Sequence, residues 1–233
     1  MNNEPLADVR DMYMAHTMFR REIGLGPALI RGVAKGDLER AQIVADHLGL
    51  VDTALEHHHS SEDEYLWPRL LDRASEESAP VVAVMEEQHG AIATLLSELR
   101  SGLGQWRDTA DPVQGAAIAE TTTRLHELLV EHLAVEEDRA LPLIERHITA
   151  REWGEMVGAG AVGIPPELMG LIFGLMSYEG DPDTVRDVIA SMPPEIGAVI
   201  GDLSAQAFAA HALRVHGTET PERIGARTPE AAR

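Results

Sequence analysis

Two stretches of the chain pair a histidine with a glutamate one helical turn later: His58 with Glu62, and His132 with Glu136. Residues four apart lie on one face of a helix, so each pair can point at the same place. The stretches form a repeat. His58 to Pro68 and His132 to Pro142 both read H-x-x-x-E-x-x-x-x-x-P at an offset of 74 residues, and His89 follows His16 at an offset of 73. Each half thus offers one His from a first helix and a His plus a Glu from a second. Heights agree as well: Glu62 lies 13 residues before a turn near Ser75 and His89 lies 14 after it, which at about 1.5 Å per residue puts them at one level. A layer of four His and two Glu inside a helical bundle costs on the order of several kcal/mol unless paired or metal-bound. Two carboxylates among six ligands suit two six-coordinate ions, with imidazoles as terminal ligands and carboxylates as shared bridges. Imidazole and carboxylate without thiolate favour iron, then manganese, over structural zinc. The candidate metal ligands are His16, His58, Glu62, His89, His132 and Glu136.

The neighbours receive blander readings. His57 and His59 flank His58 and face other directions, so they are read as solvated or as outer-shell groups; the triplet leaves the choice of ligand open, and the repeat selects His58. Asp63, Glu64, Glu137 and Asp138 read as a hydrated acidic face from which one acid can hydrogen-bond a ligand imidazole. Tyr13 and Glu86, three residues before His16 and His89, read as packing or surface, and His126 and His147 as surface. Leu55, Leu66, Met85, Ile92 and Leu129 are expected to make the surroundings of the layer dry. His211 and His216 are five apart without a nearby carboxylate, which argues for packing or surface rather than a second site.

The elements that must hold this layer are helices. Apolar residues recur at three and four up to about residue 148, with no convincing strand. Helices are expected over Pro5 to Lys35, bent near Gly24 to Pro27, then Asp37 to Arg73, Glu76 to Leu103 and Pro112 to His147. Gly36-Asp37 and Asp111-Pro112 supply the stop and start signals between them. Short connections make sequential helices antiparallel neighbours, giving an all-α, up-down-up-down four-helix bundle over residues 1–148. Beyond Thr149 the texture becomes Gly- and Pro-rich. Short helices at Pro165 to Tyr178 and Pro182 to Met192 and a longer one at Glu195 to Val215 make a helical extension over 149–216, and 217–233 reads as a mobile tail. The extension can cover an end of the bundle, regulate access or form a dimer contact, so a monomer or homodimer is expected.

Composition narrows the partners. The 233 residues carry 19 basic and 39 acidic side chains, a net charge of −20 spread along the chain, which repels phosphate backbones and anionic lipid surfaces. Neither nucleic acid nor membrane is expected as a partner. The chain has no cysteine, which removes disulfides, thiolate zinc sites and iron–sulfur clusters. The most apolar stretch, Val157 to Met176, is interrupted by Pro165-Pro166-Glu167, short of the roughly 20 residues that span a bilayer. Without a basic, then apolar, N-terminal run, the expected location is the cytoplasm.

The order H…HxxxE…H…HxxxE, carried by His16, His58, Glu62, His89, His132 and Glu136, with the Leu-Trp-Pro and Leu-Pro endings, resembles the hemerythrin-like HHE cation-binding domains over about residues 5–148. The resemblance implies a four-helix bundle holding two iron ions in an oxo- or hydroxo-bridged centre, with Glu62 and Glu136 as bridges and the four His as terminal ligands. Oxygen-carrying hemerythrins place a second His four residues from the third helix's ligand, whereas Met85 and Ala93 stand in those places here. Their last-helix carboxylate is an Asp one residue further on, where this chain has Glu136 in the i+4 place. A missing fifth His leaves exchangeable iron positions, so the expected ligands are O2, H2O2 and NO. Catalase-like peroxide chemistry or NO reduction is the leading expectation, and an oxygen, redox or iron sensor without turnover is the alternative.

Overall fold

The computed structural model describes residues 4–162 and 164–224, and every element among them is helical apart from one isolated bridge between Leu6 and Thr149. Four long helices come first: α1 (Arg10–Arg31), α2 (Leu38–Tyr65), α3 (Trp67–Trp106) and α4 (Pro112–Val135). α4 runs on through one π-helical turn (Glu136–Ala140) into α5 (Leu141–His147). α1 and α3 each pack against both α2 and α4, so the four surround a common interior. The leucines and the methionine and isoleucine expected around the ligand layer, Leu55, Leu66, Met85, Ile92 and Leu129, are all fully buried.

Local chemistry sets the ends. Asp37 accepts a hydrogen bond from the Arg40 amide, and Asp111 accepts from the amides of Val113 and Gln114, satisfying donors that the first turn of a helix leaves open. α3 joins two rods, because the backbone leaves helical geometry at Ala74 (φ −141°, ψ 42°). The Ser78 hydroxyl ties this corner by donating to the carbonyls of Leu70 and Ala74. One expectation for the first helix fails. It begins only at Arg10, because residues 5–7 lie instead along 148–150, with the Ala7 amide donating to the Ile148 carbonyl and the Ala150 amide to Pro5. The helix runs unbroken through Gly24 to Pro27. The glycines there serve packing: a Cβ on Gly26 would stand 2.9 Å from Thr122 Cγ2 on α4.

The extension has one helix more than the sequence suggests. α6 (Ala150–Ala161) starts at a capping box in which Thr149 and Glu152 satisfy each other's backbone, then packs on α2. α7 (Pro166–Ser177), α8 (Pro182–Ser191) and α9 (Pro194–His216) follow. α7 and α9 pack closely at Gly174, where any Cβ would run into the Ser204 carbonyl. Arg21 of α1 anchors this module to the bundle. It is fully buried, donates to the Leu175 carbonyl at 2.9 Å and stands 5.0 Å from the Tyr178 ring centre. The start of the expected mobile tail is also held: Pro221 is buried, the Tyr178 hydroxyl donates to its carbonyl, and Arg223 sits over the same ring. Residues 225–233 lie outside the described ones. Among the described residues α9 alone is long and apolar enough to cross a membrane. Phe208, Ala212 and Val215 on it are buried, and Arg40 of α2 donates to the carbonyls of Arg214 and Val215.

Candidate metal centre

Seven side chains converge at one level of the bundle. His16 comes from α1, His58, His59 and Glu62 from α2, His89 from α3, His132 from α4 and Glu136 from the π-turn. All six residues singled out by the repeat are brought together, and one more joins them. His59 is buried against the His89 ring, with centroids 4.1 Å apart and planes within 15°. The reading of His59 as solvated is therefore corrected: consecutive helical residues differ by about 100° in direction, and the layer is wide enough to take both side chains. His57 is half-buried and in neither group.

The groups are unequal. His16, His58, Glu62 and Glu136 present ligand atoms within 4.8 Å of one another, and so do His59, His89 and His132. The carboxylates reach both: Glu62 lies 3.1 Å from His58 Nε2 and 3.5 Å from His89 Nε2, and Glu136 Oε2 lies 3.4 Å from His16 Nε2 and 3.7 Å from His132 Nε2. None of these approaches is a hydrogen bond. The five Nε2 atoms and all four carboxylate oxygens are buried without hydrogen-bond partners. Each such orphan costs about 1–3 kcal/mol, a penalty that cations at the centre of the layer remove. The donor set fits the metal that the repeat implies.

The outward Nδ1 atoms, by contrast, are engaged. His16 Nδ1 lies 3.0 Å from Glu137 Oε1, His89 Nδ1 2.8 Å from Asp63 Oδ1, and His132 Nδ1 3.1 Å from the Gln88 side-chain oxygen. A proton on Nδ1 donated to these oxygens leaves the Nε2 lone pair facing inward, the tautomer a metal ligand needs. Two of the buttresses obey the repeat, since Asp63 and Glu137 are themselves 74 residues apart. Each sits directly after a layer carboxylate. The π-turn makes this possible in α4: widening that turn lets Glu136 and Glu137 both point into the protein. Glu64 and Asp138 keep the expected exposed role. Arg20, which the sequence did not single out, donates to Glu137 at 2.7 Å and fixes that buttress; the signal was its place one turn beyond His16.

Charge in the layer is set by burial first. Burial pushes the Glu62 carboxyl well above its usual range, and the nearby Glu136 and Asp63 reinforce the shift. Glu136 is held down at about 2, because His16, His132 and His58 outweigh its burial. Burial and the neighbouring imidazoles lower His58 to about 3 and His132 to about 4, and His59 falls well below its ordinary value for the same reasons. His16 is raised: burial acts against its charged form, and Glu136 and Glu137 overcome it. With His58, His59 and His132 held neutral and Glu136 held ionised, these four groups present lone pairs and negative charge to a cation.

A cavity of about 260 Å³ reaches the layer from the extension side. His58 forms part of its wall, and seven of the nine methionines line it, together with Phe19, Ile172 and Phe173. Asp11 and Ser61 stand among these apolar groups. Burial raises the Asp11 carboxyl to about 6, against the Trp153 indole N–H that it accepts.

The remaining histidines are placed elsewhere. His126 is half-buried against Gly24, and His147 lies 3.1 Å from Glu77 on the surface. Tyr13 is core and Glu86 exposed. His211 and His216 meet side chains of the bundle, His211 reaching His47 and His216 the buried Glu22 carboxylate, which is remote from it in sequence. No curated protein and no solved structure matches the chain significantly. The model of the hemerythrin HHE cation-binding domain matches residues 7–144, the whole span that carries the layer, and the chain belongs to that family.

Proposed function

We propose that the chain is a non-haem di-iron protein, an up-down-up-down bundle of the hemerythrin type, that takes a small uncharged ligand, O2 or NO, at one of its two ions. The carrying observation is the asymmetry of the layer beside the apolar cavity. His59, His89 and His132 would hold one ion and His16 and His58 the other, with Glu62 and Glu136 within reach of both, so the side of His16 and His58 offers one imidazole fewer and would leave more room for an outside ligand. His58 also lines the cavity. Bound iron would supply reversible electron transfer to a ligand arriving there. The protein's own part is to orient and to exclude: Glu137 and Arg20 lock the His16 ring, and the methionine-lined wall passes weakly hydrated diatomics in preference to ions and water.

Peroxide disproportionation drew its motive from a missing fifth imidazole. His59 occupies that role, so ligand binding or sensing is the better-supported reading. The test uses iron-loaded, reduced protein mixed with O2 or NO while the optical spectrum is followed. Met18→Trp, which fills the cavity next to the layer, should slow ligand association at least tenfold and leave the final spectrum unchanged. Unchanged association rates, or rapid O2 release from added peroxide in place of ligand binding, would overturn the reading.

A further inference from the structure

A second cluster of metal-ligating side chains lies where the extension meets the bundle. Glu22 of α1, His47 of α2 and His216, the last residue of α9, bring Glu22 Oε2, His47 Nε2 and His216 Nε2 within 4.8 Å of one another. Glu22 and His47 are fully buried, and the His216 side chain is 9% exposed. Glu22 Oε2 stands 3.3 Å from His47 Nε2 and 3.5 Å from His216 Nε2, yet Glu22 Oε2 and His47 Nε2 have no hydrogen-bond partner. These lengths suit a different bond. Four-coordinate zinc with arms of about 2.0–2.1 Å has ligand-to-ligand edges of about 3.3 Å.

The surroundings hold the three groups in place for such an ion. Glu22 Oε1 accepts from Arg21 Nε at 2.7 Å and Nη2 at 2.5 Å, which leaves Oε2 to face the histidines. His47 Nδ1 lies 3.0 Å from His211 Nε2, and with the shared proton on His47 Nδ1 its Nε2 lone pair faces inward. His216 sits at the negative end of the α9 dipole, which favours a cation, and Gly217 closes the helix in the left-handed region (φ 74°). Two imidazoles and one carboxylate, without thiolate, form a donor set for zinc or another borderline divalent ion, with a fourth place for water.

We propose that Glu22, His47 and His216 form a second, mononuclear site for a divalent transition ion of the zinc type, which fastens α9 to the bundle. The site is independent of the seven-residue layer. Glu22 lies six positions after His16 along α1, and none of the three is shared.

Co2+ titration of the full chain, previously loaded with iron, tests it. Wild type should take up one equivalent more than His216→Ala and show the visible bands of four-coordinate cobalt, with iron content equal in both. His47→Gln, which keeps a polar side chain in the buried place, should lose the same equivalent and guards against misfolding of a single variant. Glu62→Ala, which damages the main layer, should keep it, so failure of the di-iron reading leaves this result readable. Chelation should also make 162–216 more protease-sensitive in wild type and have no added effect in His216→Ala. Equal cobalt uptake by wild type and both His variants, or bands that survive His216→Ala, would show the cluster to be a polar contact and overturn the proposal.

Discussion

Replacing His59 with leucine should make the metal-free chain more stable and the metal-loaded chain less stable. Leucine is the residue that the repeat itself places opposite, since Leu133 stands 74 residues after His59 and is fully buried. In the metal-free protein His59 is 6% exposed and its Nε2 has no partner, so removing it relieves an unsatisfied polar atom worth about 1–3 kcal/mol. Loss of the stack on His89 returns part of that gain, leaving a net stabilisation of about 1–2 kcal/mol, or roughly 2–8 °C in Tm for a chain of this size. In the loaded protein the same change deletes one of three imidazoles on one ion. A hundredfold weaker affinity for that ion removes about 2.7 kcal/mol of linked stability at saturating metal. The two states should therefore move in opposite directions. Urea or thermal unfolding of chelated and iron-loaded protein, wild type against His59→Leu, reads both signs. If the chelated variant loses as much stability as the loaded one, His59 is a packing residue and the five-imidazole layer is wrong.

The buttresses give a second prediction. Asp63→Asn and Glu137→Gln remove the acceptor charge behind His89 and His16, and each should weaken metal retention about 10- to 100-fold in chelator competition, with helix content unchanged. Equal retention in both variants and wild type would mean that the rings are set by packing alone. A third concerns pH. Burial lowers His58 to about 3 and His132 and His211 to about 4, so below about pH 6.5 the unfolded chain binds protons that the folded one refuses. Stability of the chelated protein should fall as pH drops from 6.5 towards 4, by up to about 1.4 kcal/mol per pH unit for each such group, with the raised Glu62 and Asp11 carboxyls offsetting part of the loss, and recover towards 6.5. Urea midpoints at pH 7, 6 and 5 check it; a flat or rising series towards acid contradicts the burial of these rings as neutral groups.

Much of the bundle and its layer was legible because both depend on spacing. Period, cap residues and the 74-residue repeat are local facts, and they locate the long helices and six of the seven converging side chains. What escaped depends on phase and on distance. Whether His58 or His59 faces inward turns on a rotation of about 100° that no repeat resolves when both enter the layer. The π-turn at Glu136 leaves no mark in the pattern, although the adjacent acids Glu136 and Glu137 are its result. α6 was hidden by Gly154, Gly158 and Gly160, which lower helix propensity, while its Thr149–Glu152 capping box was the overlooked signal. Glu22 and His47 could not be linked to His216 from sequence, because 194 and 169 residues and a docked helix separate them.

The short pairing of residues 5–7 with 148–150 changes how the chain should be thought of topologically. It places the entrance and exit of the bundle side by side, so the four helices form a nearly closed ring and α6 to α9 a branch leaving it at the seam. A ring can be opened elsewhere. Joining Ala7 to Ile148 through a short linker and cutting between Arg107 and Ala110 would give a permuted bundle that keeps every layer residue and lacks the branch with its share of the cavity wall, and so separates what the bundle does from what the extension adds.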